Sequence, residues 1–169
     1  MSAVRAFLSL GSNLGDRAGY LRSAVAALGR SEFASVSGVS PVYETEPVEV
    51  EGEQPEYLNC AVELSCDVGA IELLRYCQGV EAALGRSEKG GRSPRTVDID
   101  ILLYGDEETD TPEFGLPHRG VKRAFNLVTL ADLDPDLYIP GLGTVGGLLS
   151  RIGAKELAGV RVIGLLEEA

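Results

Sequence analysis

The sequence predicts an α+β fold with a ferredoxin-like βαββαβ core, in which helices pack on an antiparallel sheet. Segments with the two-residue alternation of strands and segments with helical spacing follow one another in the order strand, helix, strand, strand, helix, strand. The length of 169 residues suits one domain with a full hydrophobic core. We therefore expect a single domain over residues 1–169.

The first half of the predicted core occupies the first 43 residues. Apolar residues alternate from Ala3 to Leu10, which predicts a strand. The segment Gly11–Asp16 is predicted to be a tight turn, because it lacks the spacing of a phosphate-binding loop. Asp16 is a good N-cap for a helix that ends near Gly29. Ala34–Tyr43 is predicted to form the second strand.

The second half follows a polar loop between Glu44 and Glu56. Strand character returns over Tyr57–Leu64, and Asp67 is predicted to cap a helix whose apolar stripe ends at Gly85. A loop rich in Gly, Ser, Lys and Arg separates this helix from the last core strand, which we place within residues 96–103.

The chain beyond the core is less regular. We expect an acidic loop over Gly105–Gly115 and short helical turns over Val121–Leu133. A helix near Leu148 and a final strand near Val160–Leu165 are predicted. The pattern does not indicate what this tail does.

Charge and composition limit the classes of function. The formal net charge of −11 argues against a nucleic-acid partner, because such proteins need a basic face. No apolar stretch is long enough to span a bilayer, and no segment has the pattern of a signal peptide. The spacing of the three cysteines suits neither disulfides nor zinc, so Cys60 and Cys77 are predicted to be core residues. We expect a cytoplasmic protein without a membrane partner, and a monomer.

Two aspartates alternate with apolar residues in the last core strand, TVDIDILL at residues 96–103. In a strand, the apolar residues would share one face, and Asp98 and Asp100 would share the other. Two carboxylates would then project from one face, roughly 6–7 Å apart at the backbone. Because Mg²⁺ takes one or two carboxylates together with phosphate oxygens, the pattern indicates a metal site for phosphate chemistry. The alternative is a solvated outer face of an edge strand.

Other candidate residues precede and follow this strand. The loop before it carries a basic cluster in an otherwise acidic chain: Arg86, Lys89, Arg92 and Arg95. Such a cluster suits phosphate binding, although a solvated basic loop explains it equally well. His118 is the only histidine and can donate to a phosphate. Glu81 lies beside the apolar stripe of its helix, where a glutamate is usually solvated, and it can add a carboxylate to a metal site.

These motifs together resemble the 6-hydroxymethyl-7,8-dihydropterin pyrophosphokinase family. The resemblance covers roughly residues 4–142 and keeps the order of every block. The matching stretches are LSLGSNL at 8–14, YETEP at 43–47, YLNCAV at 57–62, Gln78 with Glu81, LGR at 84–86, PRTVDIDILLYG at 94–105, LPH at 116–118 and FNLVTL at 125–130.

The resemblance implies a transfer of pyrophosphate from ATP to the hydroxymethyl group of the pterin, with release of AMP, in folate biosynthesis. Asp98 and Asp100 would bind two Mg²⁺ ions, and Arg86 and Arg95 would handle the phosphates. The implied pterin-binding residues are Thr45, Pro47, Tyr57, Asn59 and Phe125. The implied ATP-binding residues are Gln78, Glu81, Arg86, Lys89, Arg95, Ile101, His118 and Arg123.

The chain departs from the family pattern on the nucleotide side. Glu113 and Gly115 stand where a basic and a hydroxyl residue often help to bind ATP, and Arg92 stands where an aromatic residue is common. Two other interpretations stay open. One is a different Mg²⁺-dependent phosphoryl or nucleotidyl transferase on the same scaffold, and the other is a binding module without turnover.

Overall fold

The computed structural model describes residues 3–46, 56–85 and 96–167. Its strands are β1 (Val4–Ser12), β2 (Ala34–Val39), β3 (Val42–Thr45), β4 (Tyr57–Cys66), β5 (Asp98–Tyr104), β6 (Thr109–Asp110), β7 (Gly115–Leu116), β8 (Tyr138–Ile139), β9 (Gly143–Thr144) and β10 (Arg161–Gly164). Its helices are α1 (Arg17–Gly29), α2 (Ala70–Ala83), α3 (Ala124–Leu133), α4 (Val145–Leu149) and α5 (Ala154–Ala158).

The main sheet of the described chain has six strands, and every paired strand is antiparallel to its neighbour. The order is β10-β3-β4-β1-β5, and β2 also pairs with β4. Among these strands β5 therefore forms one edge. Helix α1 follows β1 and helix α2 follows β4, so the predicted α+β fold with its βαββαβ core is confirmed.

The start of the chain follows the prediction in its helix and departs from it in its turn. The Asp16 carboxylate accepts a hydrogen bond from Gly19 N at 3.0 Å, which confirms Asp16 as the N-cap of α1. The predicted turn at Gly11 is wrong, because Gly11 and Ser12 continue β1 opposite strand β4. The turn begins only at Asn13.

The predicted second strand is two strands. Pro41 has no N–H to donate to a sheet ladder, and it separates β2 from β3. Ser40 keeps the junction attached to β4, since its N–H donates to Ala61 O at 2.9 Å and its Oγ accepts from Ala61 N at 2.8 Å.

Helix α2 has the predicted apolar stripe and a different first residue. Leu73, Cys77 and Val80 are buried against the sheet. The predicted Asp67 cap is wrong: Gly69 is the N-cap residue, and Asp67 N donates to Phe33 O at 2.8 Å instead. Gly85 has a positive φ of 100° just after the helix, which agrees with its predicted role as a stop.

The tail contains more regular structure than predicted. The acidic loop holds the β6–β7 hairpin, and α3 is one ten-residue helix where short turns were predicted. The predicted last helix and strand correspond to α4 and β10, and β10 extends the sheet beside β3.

Both faces of the sheet are covered. Leu8 of β1 packs in one core with Leu21 of α1 and Leu73 of α2. Phe7 points to the opposite face and packs in a second core with Leu127 of α3. Strand alternation thus distributes β1 between two helical layers.

Two expectations from composition also bear on the fold. Cys60 and Cys77 are buried core residues, as predicted, and no disulfide joins the three cysteines, which all lie in the described ranges. Burial raises the pKa of the Cys60 thiol to about 12. In the part of the chain that the structure describes, no helix has the length and apolar character that a membrane span requires.

Candidate active site

One face of the sheet carries residues from both predicted substrate sites in a single cross-strand row. Asn59 on β4 lies opposite Tyr43 on β3 and Gly11 on β1, and Gly11 lies opposite Asp98 on β5. Since neighbouring strands are about 4.8 Å apart, the backbones of Asn59 and Asp98 are separated by about 10 Å. The row brings a predicted pterin residue and a predicted metal ligand onto one surface.

Gly11 lies between them and leaves the floor of the row without a side chain. A β-carbon at this position would lie 2.9 Å from Asn59 Oδ1 and 3.3 Å from Tyr57 Cδ1. The amide and the aromatic ring therefore use the space that a larger residue would fill. The sequence motifs did not indicate this role. Once β1 is paired with β5, Gly11 lies opposite Asp98 and therefore on the same face of the sheet.

The pterin side of the row is a buried polar pair. Asn59 and Thr45 are 5% and 6% exposed, and Asn59 Nδ2 donates to Thr45 Oγ1 at 2.6 Å. This bond sets the orientation of the Asn59 amide. Its Nδ2 points toward Thr45, and its Oδ1 points toward Gly11. Beside them, Tyr43 donates to Asp132 Oδ2 at 2.5 Å. Burial, and then this bond, raise the pKa of Tyr43 above its ordinary value.

The predicted metal side lies on the edge strand β5. Asp98 and Asp100 are partly exposed on one face, and Ile99 between them is buried on the other, as the alternation predicted. The sequence left two interpretations open, a metal site and the outer face of an edge strand. The aspartates do lie on an edge strand, and they also share the face of the predicted pterin residues.

Glu81 of α2 binds the backbone of this edge strand. Its carboxylate is buried, at 3% exposure, and its Oε2 accepts a hydrogen bond from Ile99 N at 2.8 Å. The expectation of a solvated glutamate is therefore wrong, because α2 packs close enough to β5 for Glu81 to cap an edge amide. That amide lies between the two aspartates in sequence, so Glu81 fixes the backbone that carries them.

His118 reaches the same strand from the other side. Its backbone N donates to Leu102 O at 2.9 Å, which attaches the end of the β6–β7 hairpin to β5. Its Nδ1 accepts from Gly120 N at 2.9 Å, so the ring proton of the neutral form is on Nε2. Nε2 is 3.7 Å from Asp100 Oδ1.

Gln78 lies one turn before Glu81 on α2 and is held by a residue that sequence analysis did not single out. Arg75 Nη1 donates to Gln78 Oε1 at 3.2 Å and also lies 2.6 Å from Glu113 Oε1. Glu113 belongs to the turn of the β6–β7 hairpin. No sequence signal pairs these residues, because the contact depends on how the hairpin packs beside α2.

A second predicted group meets at a cavity of about 670 Å³ between β3, α3 and α5. Thr45, Arg123 and Phe125 line it, together with Lys155 and other residues of the tail. The tail thus adds a wall next to two predicted pterin residues.

Several predicted residues lie outside the described ranges: Pro47, Arg86, Lys89, Arg92 and Arg95. The chain on each side of segment 47–55 is anchored by ion pairs. Arg17 Nη1 lies 3.0 Å from Glu44 Oε2 and donates to Glu56 O at 2.9 Å. Arg161 lies 2.6 Å from Glu56 Oε1. The hydrogen bond from Arg17 is the main cause that lowers the pKa of Glu44.

Comparison with known families agrees with this geometry. The profile of the 7,8-dihydro-6-hydroxymethylpterin-pyrophosphokinase (HPPK) family matches residues 7–135. The chain belongs to this family. The match includes every described site residue named above except those of the tail.

Two bacterial HPPK relatives are similar over most of their length. The 2-amino-4-hydroxy-6-hydroxymethyldihydropteridine pyrophosphokinase of Bacillus subtilis is 43% identical over 129 residues, which cover 76% of this chain and 77% of that protein. The enzyme of the same name from Methylorubrum extorquens is 41% identical over 139 residues, covering 82% and 87%. The folic acid synthesis protein fol1 of Schizosaccharomyces pombe is 39% identical over 136 residues, but the match covers only 18% of that protein.

The crystal structure of wild-type HPPK-DHPS from Plasmodium falciparum superposes with a TM-score of 0.68 at 14% identity. It covers 88% of this chain and 44% of that one, and it supports the fold alone. HPPK membership confirms the predicted activity, pyrophosphate transfer from ATP to hydroxymethyldihydropterin in folate biosynthesis. It favours this activity over the other transferase and the inactive binding module.

Proposed function

We propose that this chain transfers pyrophosphate from ATP to 6-hydroxymethyl-7,8-dihydropterin across the face of β4, β1 and β5, with Mg²⁺ held by Asp98 and Asp100. The observation that carries the proposal is the cross-strand row. Asn59 and Asp98 share one face about 10 Å apart, a distance of two strand spacings, and Gly11 on the strand between them carries no side chain. A flat pterin against Asn59 can direct its hydroxymethyl arm across β1 toward the aspartates.

The donor set suits Mg²⁺ bound together with a nucleotide. Across residues 3–46, 56–85 and 96–167, no three His, Cys, Asp or Glu side chains are grouped as a metal site. Mg²⁺ does not require such a cage, because it uses one or two carboxylates and completes its shell with waters and substrate phosphates. Asp98 and Asp100 would hold two ions in this way. Bound there, the metal neutralises phosphate charge and favours ionisation of the attacking hydroxyl.

The reaction forms a bond from the hydroxymethyl oxygen to the β-phosphorus of ATP and breaks the bond from that phosphorus to the α,β-bridging oxygen. AMP leaves with the bridging oxygen, and the hydroxyl loses its proton. His118 supports this step, since its Nε2 proton is directed toward the Asp100 side and can donate to a phosphate oxygen. Arg86 and Arg95 are proposed to offset phosphate charge as the bond breaks.

Pterin binding is assigned to the buried side of the row. Asn59, oriented by Thr45, can pair with the donor and acceptor edge of the pterin. Tyr57 and Phe125 supply aromatic surface for the ring, because Tyr57 lies over Gly11 and Phe125 lines the cavity shared with Thr45. Pro47 is proposed as a further contact.

ATP binding is assigned to the outer edge of β5, the last strand of the described sheet. Because Ile99 N faces Glu81 at this edge, strand alternation turns the backbone of Ile101 to the same side. An edge backbone offers donors and acceptors to a flat base. Gln78 and Glu81 flank this edge from α2, and His118 flanks it from the hairpin. Lys89 and Arg123 are proposed as additional phosphate contacts.

The direct test incubates the purified chain with ATP, Mg²⁺ and 6-hydroxymethyl-7,8-dihydropterin and follows products by chromatography and phosphorus NMR. We expect AMP and a pterin diphosphate in equal amounts, and no reaction in EDTA. The 6-methyl pterin, which lacks the hydroxyl, is the control and should yield no AMP. Formation of ADP, or equal turnover in EDTA, would contradict the proposal.

A further inference from the structure

The outer edge of β5, the last strand of the described sheet, is flanked by two elements, and each is attached to it at a different residue. Glu81 of α2 binds the Ile99 amide at 2.8 Å, and the His118 amide after the β6–β7 hairpin binds the Leu102 carbonyl at 2.9 Å. We call the stretch between these two attachments, with α2 on one side and the hairpin on the other, the edge groove. Ile101 lies between the two attached residues, and its side chain is buried in the core.

An ion pair joins the two elements on either side of the edge groove. Arg75 on α2 lies 2.6 Å from Glu113 in the hairpin turn, and the same guanidinium donates to Gln78 at 3.2 Å. The turn itself is closed by hydrogen bonds between Thr111 and Phe114, so it presents Glu113 on a defined backbone. The pair therefore joins two elements that otherwise attach to β5 at separate points.

This pair is a poor candidate for a stabilising interaction. The side chains of Arg75 and Glu113 are 56% and 55% exposed, and exposed pairs contribute little to folding stability. Its position gives it a different role, because a ligand in the groove would lie under it and shield it from water. A charge pair gains strength when it is partly desolvated. Ligand binding and pairing should therefore reinforce each other.

We propose that the Arg75–Glu113 ion pair is the outer clamp of the nucleotide site, where it holds the hairpin against α2 over the base of bound ATP. The inference rests on the proposed function, which assigns the base to the edge groove. Arg75 and Glu113 act here as positioning residues, since they set the width of the groove and orient Gln78, and the reacting phosphates lie on the aspartate face. The clamp should affect nucleotide affinity and leave the chemical step unchanged.

The test measures binding of α,β-methylene-ATP with Mg²⁺ by calorimetry, and KM and kcat from AMP formation. For Arg75→Ala and Glu113→Ala we expect Kd for the analogue and KM for ATP to rise about 3–10-fold, the range of a 1 kcal/mol coupling. The pterin KM and kcat should stay within twofold. The charge-reversed double variant, Arg75→Glu with Glu113→Arg, should recover most of the affinity that either reversal alone loses.

Arg5→Ala is the matched control, because Arg5 is also a partly exposed arginine, and it pairs with Glu63 and Asp134 rather than with the hairpin turn. It should leave the Kd of the analogue unchanged. The clamp is overturned if the alanine variants bind the analogue as the unsubstituted chain does, or if the double variant is no better than the single reversals. If the unsubstituted chain forms no AMP, the proposed function fails; if it forms AMP while the variants bind normally, only the clamp fails.

Discussion

The two sides of the candidate site are held by the sheet in different ways. On the pterin side, Asn59 and Thr45 are buried among the inner strands and satisfy each other. On the metal side, Asp98 and Asp100 stay partly exposed on an edge strand and are fixed through the backbone by the buried Glu81. One side positions side chains directly, and the other positions the strand that carries them.

The difference fits the chemistry that each side would perform in the proposed reaction. A carboxylate that binds a cation must keep its charge, and burial of a charge without a partner is costly. An amide that reads the edge of a flat ring is neutral, so it can be buried if its second group is paired. Substitutions of the aspartates should therefore reduce turnover without loss of stability, whereas changes around Asn59 should alter binding and packing together.

The largest effect is expected from Asp98→Asn and Asp100→Asn. Each removes a carboxylate that would hold Mg²⁺, and metal stabilisation of the transition state amounts to several kcal/mol, so kcat should fall on the order of 10³-fold. Because two like charges on one strand face are relieved, the free energy of unfolding should change by less than about 1 kcal/mol. Initial rates and chemical denaturation measure both.

Asp106→Asn is the matched control, since Asp106 is exposed in the turn after β5 and does not face the row. It should leave both kcat and stability unchanged. A large stability loss in either site variant would show that the aspartates are structural and would remove the contrast between the two sides.

An intermediate effect is expected from Glu81→Ala. The change leaves the Ile99 amide and its surroundings without their buried acceptor, which should cost about 1–3 kcal/mol of stability. Because the strand between the aspartates is then free to shift, kcat should also fall, by up to about 10²-fold for a displacement near 1 Å.

Glu81→Gln separates the two causes, because its amide oxygen can still accept from Ile99. It should restore stability and most of kcat if the role is to position the strand. Glu72→Ala, an exposed glutamate at the start of the same helix, controls for general loss of charge on α2. An active, stable Glu81→Ala protein would mean that the hydrogen bond between Ile99 and Glu81 is not needed to position the edge strand.

Sequence patterns predicted the core well where apolar residues follow the repeat of a single strand or helix. The alternation around Asp98, the Asp16 cap and the apolar stripe of α2 are local signals, and each is present in the structure. Local signals failed where a distant partner decides. Asp67 looks like a cap but its amide bonds to Phe33, and Pro41 divides a run that reads as one strand.

The site shows the same limit. Motifs indicated Asn59 and Asp98, but their separation depends on strand order, which the sequence expresses only through the whole topology. Glu81 was expected in solvent because helix periodicity does not show that a neighbouring strand edge offers an amide. The pair of Arg75 and Glu113 has no local signal at all, since it joins two separately packed elements.

The smallest effect, and the sharpest comparison, comes from adding one methyl group at two glycines. In Gly11→Ala the new carbon would lie 2.9 Å from Asn59 Oδ1, so the amide must move and its bond to Thr45 weaken. We expect the pterin KM to rise about tenfold, equivalent to about 1.4 kcal/mol, with an unchanged KM for ATP. In Gly79→Ala on α2, no described atom beyond the adjoining backbone of the helix lies within 4 Å of the new carbon. Because alanine favours a helix over glycine by about 0.5–1 kcal/mol, this protein should be more stable and equally active.

Steady-state kinetics with each substrate and thermal denaturation measure the contrast between the two glycine variants. An ATP KM that rises in parallel with the pterin KM in Gly11→Ala would mean that the two sides of the row are not separate binding surfaces.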